Sequence, residues 1–95
     1  MPEMRFFIRW PDGTTETCYS PSLVIKDYFA VGESYPLADF LARSRSALNI
    51  ANGRVRAKYG FACSQAITQL ARIESTATAF GDDANARVTI DAFEE

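Results

Sequence analysis

Apolar and polar residues alternate almost from the start of the chain. Met4, Phe6, Ile8 and Trp10 are separated by Arg5, Phe7 and Arg9, a period of two that predicts a strand with one buried face. Pro11-Asp12-Gly13 follows, then a threonine-rich run over residues 14–19. Proline pre-sets the first turn position, Asp12 can bond back to the backbone, and Gly13 supplies the left-handed conformation that a three-residue loop needs. The two runs therefore pair as a β-hairpin. Setting Trp10 opposite Thr14 puts Phe6 opposite Cys18 and Ile8 opposite Glu16. One face then holds Met4, Phe6, Ile8, Trp10 and Cys18. The other holds Arg5, Arg9, Thr15, Thr17 and Tyr19, with Phe7 as its one apolar member.

The period then lengthens. Ser20 suits the cap of a helix beginning at Pro21, whereas the β-branched Val24 and Ile25 equally suit a strand; the reading favours a short helix through Phe29. Residues 30–34, containing Gly32, form a loop. The longest helix has its first turn at Pro36 and runs to about Tyr59. Its apolar stripe is Leu37, Phe40, Leu41, Ala47, Leu48, Ala51 and Val55, with Ser44 the only polar residue on that line. Gly53 weakens it by about 1 kcal/mol relative to alanine.

Gly60 breaks the pattern, and a second stripe follows at Cys63, Ala66, Ile67, Leu70, Ile73, Ala77 and Phe80. Two amphipathic helices joined this closely pack antiparallel. After Gly81-Asp82-Asp83, Val88, Ile90 and Ala92 alternate with Arg87, Thr89 and Asp91 in a closing strand. The predicted fold is α+β, one domain over residues 1–95. A small antiparallel or mixed sheet, made of the N-terminal hairpin and the C-terminal strand, is covered on one face by a helical hairpin.

Composition agrees with a folded chain: of 95 residues, 47% are hydrophobic and 23% charged, enough apolar content for a core. The start of the chain carries no basic segment followed by a long apolar one, and no stretch reaches the roughly 20 apolar residues that span a bilayer. A cytoplasmic location and no membrane partner are expected. Histidine is absent, which excludes Ser-His-Asp and Cys-His machinery and imidazole zinc sites. The glycines are isolated, so no nucleotide fingerprint can be built. Neither a metal nor a cofactor is expected, and with no catalytic constellation the reading favours a protein that is not an enzyme.

Charge is unevenly spread. Between Asp39 and Glu74 there is no acid, yet Arg43, Arg45, Arg54, Arg56, Lys58 and Arg72 all lie there. On a helix Arg43 and Arg54, and likewise Arg45 and Arg56, are three turns apart and form two short rows. Guanidinium forks suit phosphate and carboxylate, so Arg43, Arg45, Arg54, Arg56, Lys58 and the adjoining Tyr59 are the candidate ligand-binding set. The ordinary alternative is a solvated helix face balanced by acids elsewhere. With a net charge of −2, nucleic acid is not an expected partner.

Cys63 is the candidate catalytic residue, because the Tyr59-Gly60-Phe61-Ala62-Cys63 turn delivers it to a helix start where backbone N–H groups favour a thiolate. Its alternative is to begin the apolar stripe. Two cysteines are too few for a disulfide framework. Self-association is a further possibility, since a sheet of about three strands leaves its edges open.

The strings MRFFIRWPDG, TCYSPSLVIKDYF, GESYPLADFLARSRSAL and RVRAKYGFACSQA together resemble a small bacterial family named for a nitrogen-starvation response. YSPS and YGFAC are the most specific segments. The resemblance runs from Met1 to about Phe80 and leaves the acidic tail outside. It implies a cytoplasmic bacterial protein whose gene accompanies a nitrilase and other enzymes, so enzymes of that cluster are the implied partners. No catalytic residue comes with the resemblance. Three functions are expected in turn: an accessory or interaction factor in nitrogen scavenging, a small-anion or nucleotide binder using the arginine rows, and a thiol enzyme or carrier using Cys63.

Overall fold

The computed structural model describes residues 2–95. Strands β1 (Met4–Arg9) and β2 (Thr15–Ser20) form the hairpin, followed by α1 (Ile25–Tyr28), β3 (Ser34–Pro36), α2 (Leu37–Tyr59), α3 (Ser64–Thr78) and β4 (Arg87–Glu94). The four strands make one antiparallel sheet in the order β2-β1-β4-β3. The α2–α3 hairpin covers one face, so the α+β architecture is the one the pattern predicts.

The hairpin has the expected register, with Phe6 opposite Cys18 and Ile8 opposite Glu16. Trp10 donates its backbone N–H to Thr14 O at 2.8 Å, and Gly13, at φ +88°, closes the turn onto Trp10 O at 2.9 Å. Asp12 Oδ1 accepts both the backbone N–H and the hydroxyl of Thr14, and these bonds hold its carboxyl below the usual carboxylate range.

Residues 20–36 depart most from the sequence pattern. Ser20 ends β2 rather than capping a helix; its hydroxyl donates to Ser22 O at 2.7 Å. The helix begins only at Ile25, with Val24 at its N-cap, and stops at Tyr28 because Phe29 turns to extended backbone. The loop expectation misses β3. Its three residues pair with Arg87, Val88 and Thr89 of β4, and Pro36, expected in the first helical turn, is instead the last residue of the strand.

Aromatic rings join the layers. Trp10 lies edge-on to Phe40 with centroids 5.7 Å apart and stacks on Phe80 at 6.0 Å, while Phe29 meets Phe40 at 5.4 Å and Tyr35 at 5.2 Å. Phe6, Ile8, Ile25, Phe40, Leu48, Ile73 and Ile90 are fully enclosed. Such packing, at roughly 1.5–3 kcal/mol per large apolar side chain, is the main favourable contribution to the fold.

Two expected core positions change sides. A bulge between Phe7 and Ile8 on one side and Ala92 and Ile90 on the other leaves Asp91 unpaired. Beyond it the alternation slips by one residue, so Ala92 sits beside Phe7 on the open face and Phe93 opposes Phe6 on the core side. On α3, Ile67 is exposed and Gln69 is buried in its place. The cause is geometric: α3 packs against both α2 and the edge strand β2, which rotates its buried line to Ala66, Gln69, Ile73 and Ala77. No helix among the described residues is long and apolar enough to cross a membrane.

Candidate functional site

The tip of the helical hairpin is built by one glycine and one asparagine. Gly60, at φ +82°, terminates α2 in the left-handed conformation and donates its N–H to Arg56 O at 2.8 Å. Residues 61–63 then turn into α3. Asn52 Oδ1 accepts the Cys63 N–H at 2.6 Å, fastening the start of α3 to the flank of α2. The turn held in this way leaves its aromatic side chains in solvent. Tyr59 is 51% and Phe61 67% exposed, with their rings 6.3 Å apart.

A cleft of about 510 Å³ opens beside these rings, and its wall includes Glu3, Tyr19, Pro21, Val55, Phe61 and Cys63. Tyr19 donates its hydroxyl to Glu3 Oε2 at 3.0 Å. Partial burial first, then that bond and the Glu3 charge, push the phenol up to about 12. Cys63 is half-buried at the α3 N-cap and makes no side-chain cap bond there. Cys18, by contrast, is fully enclosed, and burial followed by the Glu16 charge pushes its thiol strongly up.

The cationic residues separate into two groups. Arg43 bonds Asp39 at 3.0 Å and Tyr28 O at 2.6 Å, with its guanidinium 4.8 Å from the centre of the Tyr35 ring. Arg45 pairs with Glu74 at 3.5 Å, and Arg54 donates to Ser22 Oγ at 2.7 Å. These three lock α2 to its neighbours. Arg56 and Lys58 form no ion pair among the described residues, and Lys58 Nζ sits 5.5 Å from the centre of the Tyr59 ring. Eleven residues of helix separate the members of each row by about 16 Å, so the basic residues face two regions of the surface. Arg56, Lys58 and Tyr59 gather at the tip.

The family model described as nitrogen starvation-induced protein NitG matches residues 5–93. The chain belongs to this family. The NitG match continues past Phe80 and takes in β4, so the strand that completes the sheet is part of what the family shares. Comparison with curated proteins and with solved structures gives no match.

Three residues of the tip and of α3 escape a reading of the sequence alone. Phe61, read only as part of the turn that leads to Cys63, projects into solvent. Gln69 is buried against the sheet edge, where its Oε1 accepts the Tyr19 backbone N–H at 2.9 Å. Arg72 reads as one more surface charge but borders a hollow next to β2. Only Phe61 left a signal: it directly follows the glycine that ends α2. No group of three or more Cys, Asp or Glu side chains placed to hold a metal ion occurs among the described residues.

Proposed function

We propose that this protein is an accessory factor of nitrogen scavenging that docks onto an enzyme through the tip of its helical hairpin. The exposed Tyr59–Phe61 pair carries the reading, lying at the mouth of a cleft beside two cations without acidic partners. Aromatic side chains left in water next to a concavity are the residues that dominate binding when a partner covers them. Arg56 and Lys58 would steer an acidic segment to the tip, and the cleft would take an apolar side chain of that segment. The absence of histidine supports a binding role over nucleophilic catalysis at Cys63. The family's starvation response, with the resemblance to proteins encoded beside a nitrilase, supports enzymes of such a cluster as the partner class.

The test is purification of tagged protein from nitrogen-limited cells, wild type beside Tyr59→Ala/Phe61→Ala, followed by reconstitution with the purified enzyme. The wild type should retain a cluster-encoded enzyme. The double variant should keep its melting temperature and lose affinity by a factor of about 30 or more, the size of a binding hot spot. Equal retention by both proteins rules out the tip as the docking surface.

A further inference from the structure

A second hollow, of about 370 Å³, lies between the β2 edge and the first turns of α3. Its wall is Arg5, Tyr19, Ser64, Gln65, Thr68, Gln69 and Arg72. Every side chain there is polar, and none is a carboxylate. That composition differs from the tip cleft, whose wall is largely apolar and includes Glu3.

Three features of the wall favour negative charge. Arg72 is exposed and forms no ion pair among the described residues, whereas Arg5 is held by Glu94 at 3.4 Å. The 15-residue helix α3 starts without a side-chain cap bond from Cys63 and without an acid in its first turn; Asn52 holds the N-cap N–H, and the following N–H groups of the first turn and the positive end of the dipole meet no carboxylate among the described residues. Gln69 is the third. It is only 6% exposed, its Oε1 is committed to the Tyr19 N–H, and its Nε2 has no acceptor. A buried amide donor without an acceptor is costly, and native proteins leave few of them.

We propose that this hollow binds a small organic oxyanion, with Arg72 pairing its charge, Gln69 Nε2 donating to one of its oxygens, and the Ser64 and Thr68 hydroxyls completing the shell. Carboxylate and phosphate share the required chemistry, planar or tetrahedral oxygens that a guanidinium fork can grip. The site goes beyond the docking function. It uses neither Tyr59 nor Phe61, so the two readings fail independently.

The experiment is a backbone and side-chain amide NMR titration of the full chain with acetate, succinate, inorganic phosphate and glycerol phosphate, with matched chloride as control. At millimolar concentration at least one of the four should shift the Ser64, Gln65 and Gln69 amides, including the Gln69 side-chain NH2, and should raise the melting temperature. The carboxylate and phosphate arms separate the two sources of the oxyanion. Arg72→Ala changes an exposed side chain, should keep the fold, and should weaken the response about tenfold or more. Gln69→Leu should abolish the response at the Ser64 and Gln65 amides. Three results overturn the proposal: no movement at residues 64–69 with any probe, an equal response to chloride, or unchanged binding in Arg72→Ala.

Discussion

Gln69, in the middle of α3, accepts the backbone N–H of Tyr19 at 2.9 Å, tying a helix side chain to the outer edge of β2. Arg5 faces Tyr19 across the hairpin, so this N–H is one that β1 leaves unused. Edge strands with open N–H groups invite pairing with other chains, and one way to blunt them is to cover them. Gln69→Leu keeps the volume but removes the cap. It also removes the unpartnered Nε2, so the two effects oppose each other and the stability change should stay within about 1 kcal/mol. The Tyr19 amide should nevertheless exchange with solvent much faster than in the wild type. Hydrogen exchange read residue by residue, beside a urea melt, checks both.

Two glycines of the helical hairpin should respond to alanine with opposite signs. Gly53 lies inside α2, exposed, and no heavy atom stands within 4 Å of an added Cβ. Gly53→Ala should therefore stabilise the protein by about 0.5–1 kcal/mol, the ordinary helix preference. Gly60 has equally open surroundings, but its φ of +82° is strained for any residue with a Cβ. Gly60→Ala should cost about 1–2 kcal/mol. Thermal melts of both variants decide the matter, and a gain at Gly60 would mean that the tip re-forms in another conformation.

Phe40 links the two halves of the aromatic cluster, touching Trp10 on one side and Phe29 on the other. Its side chain is completely enclosed. Phe40→Ala removes a full ring from a close-packed site and should cost about 3–5 kcal/mol. Trp10 fluorescence should follow the denaturant transition, since the indole also donates to Glu16 Oε1 at 3.0 Å and stacks on Phe80. A loss below about 1 kcal/mol would mean that the neighbouring rings close the void.

Much of this architecture was legible because its signals are local. The β1–β2 register follows from the Pro11-Asp12-Gly13 turn, and the extent of α2 from one stripe, interrupted only by Ser44, and the glycine at position 60 that stops the helix. What escaped was decided between distant segments. Three-residue β3 is too short to alternate and exists only as a partner of β4. The bulge at Asp91 moves Phe93 to the core side and Ala92 away from it, although Val88, Ile90 and Ala92 alternate without a break in the sequence. The basic run between Asp39 and Glu74 was visible as charge. Its division was not, because the partners of Arg43 and Arg54 are Tyr28 O and Ser22 Oγ, contacts made across the fold.

Tyr19 contributes to the loss of stability at alkaline pH. Its phenol is pushed from an ordinary value of 10.0 to about 12 by partial burial and by the bond to Glu3, so the folded chain holds the proton more tightly than the unfolded chain does. The contribution is complete below about pH 10 and is lost as pH rises through 12. Tyr19 should ionise late in the folded protein, read as phenolate absorbance. Tyr19→Phe should remove that late step, and Glu3→Gln should move it to lower pH.

The two thiols should differ sharply in reactivity, and the contrast bears on whether Cys63 can do chemistry. Cys18 is enclosed between the hairpin and α3, and its S–H lies 4.0 Å from Glu16 Oε2, where burial and the carboxylate both oppose the thiolate. Disulfide reagents should reach it only as fast as the protein opens. Cys63, half-buried at the edge of the tip cleft, should react in the folded state, and Cys63→Ser should remove that phase alone. Asn52 supplies the lever: its amide oxygen fixes the Cys63 N–H, and Asn52→Ala should loosen the start of α3 and speed the reaction at Cys63 without changing Cys18. A Cys63 that reacts no faster than Cys18 would end the thiol reading. A Cys63 that reacts faster in the wild type than in Asn52→Ala would show instead that the fixed turn activates the sulfur.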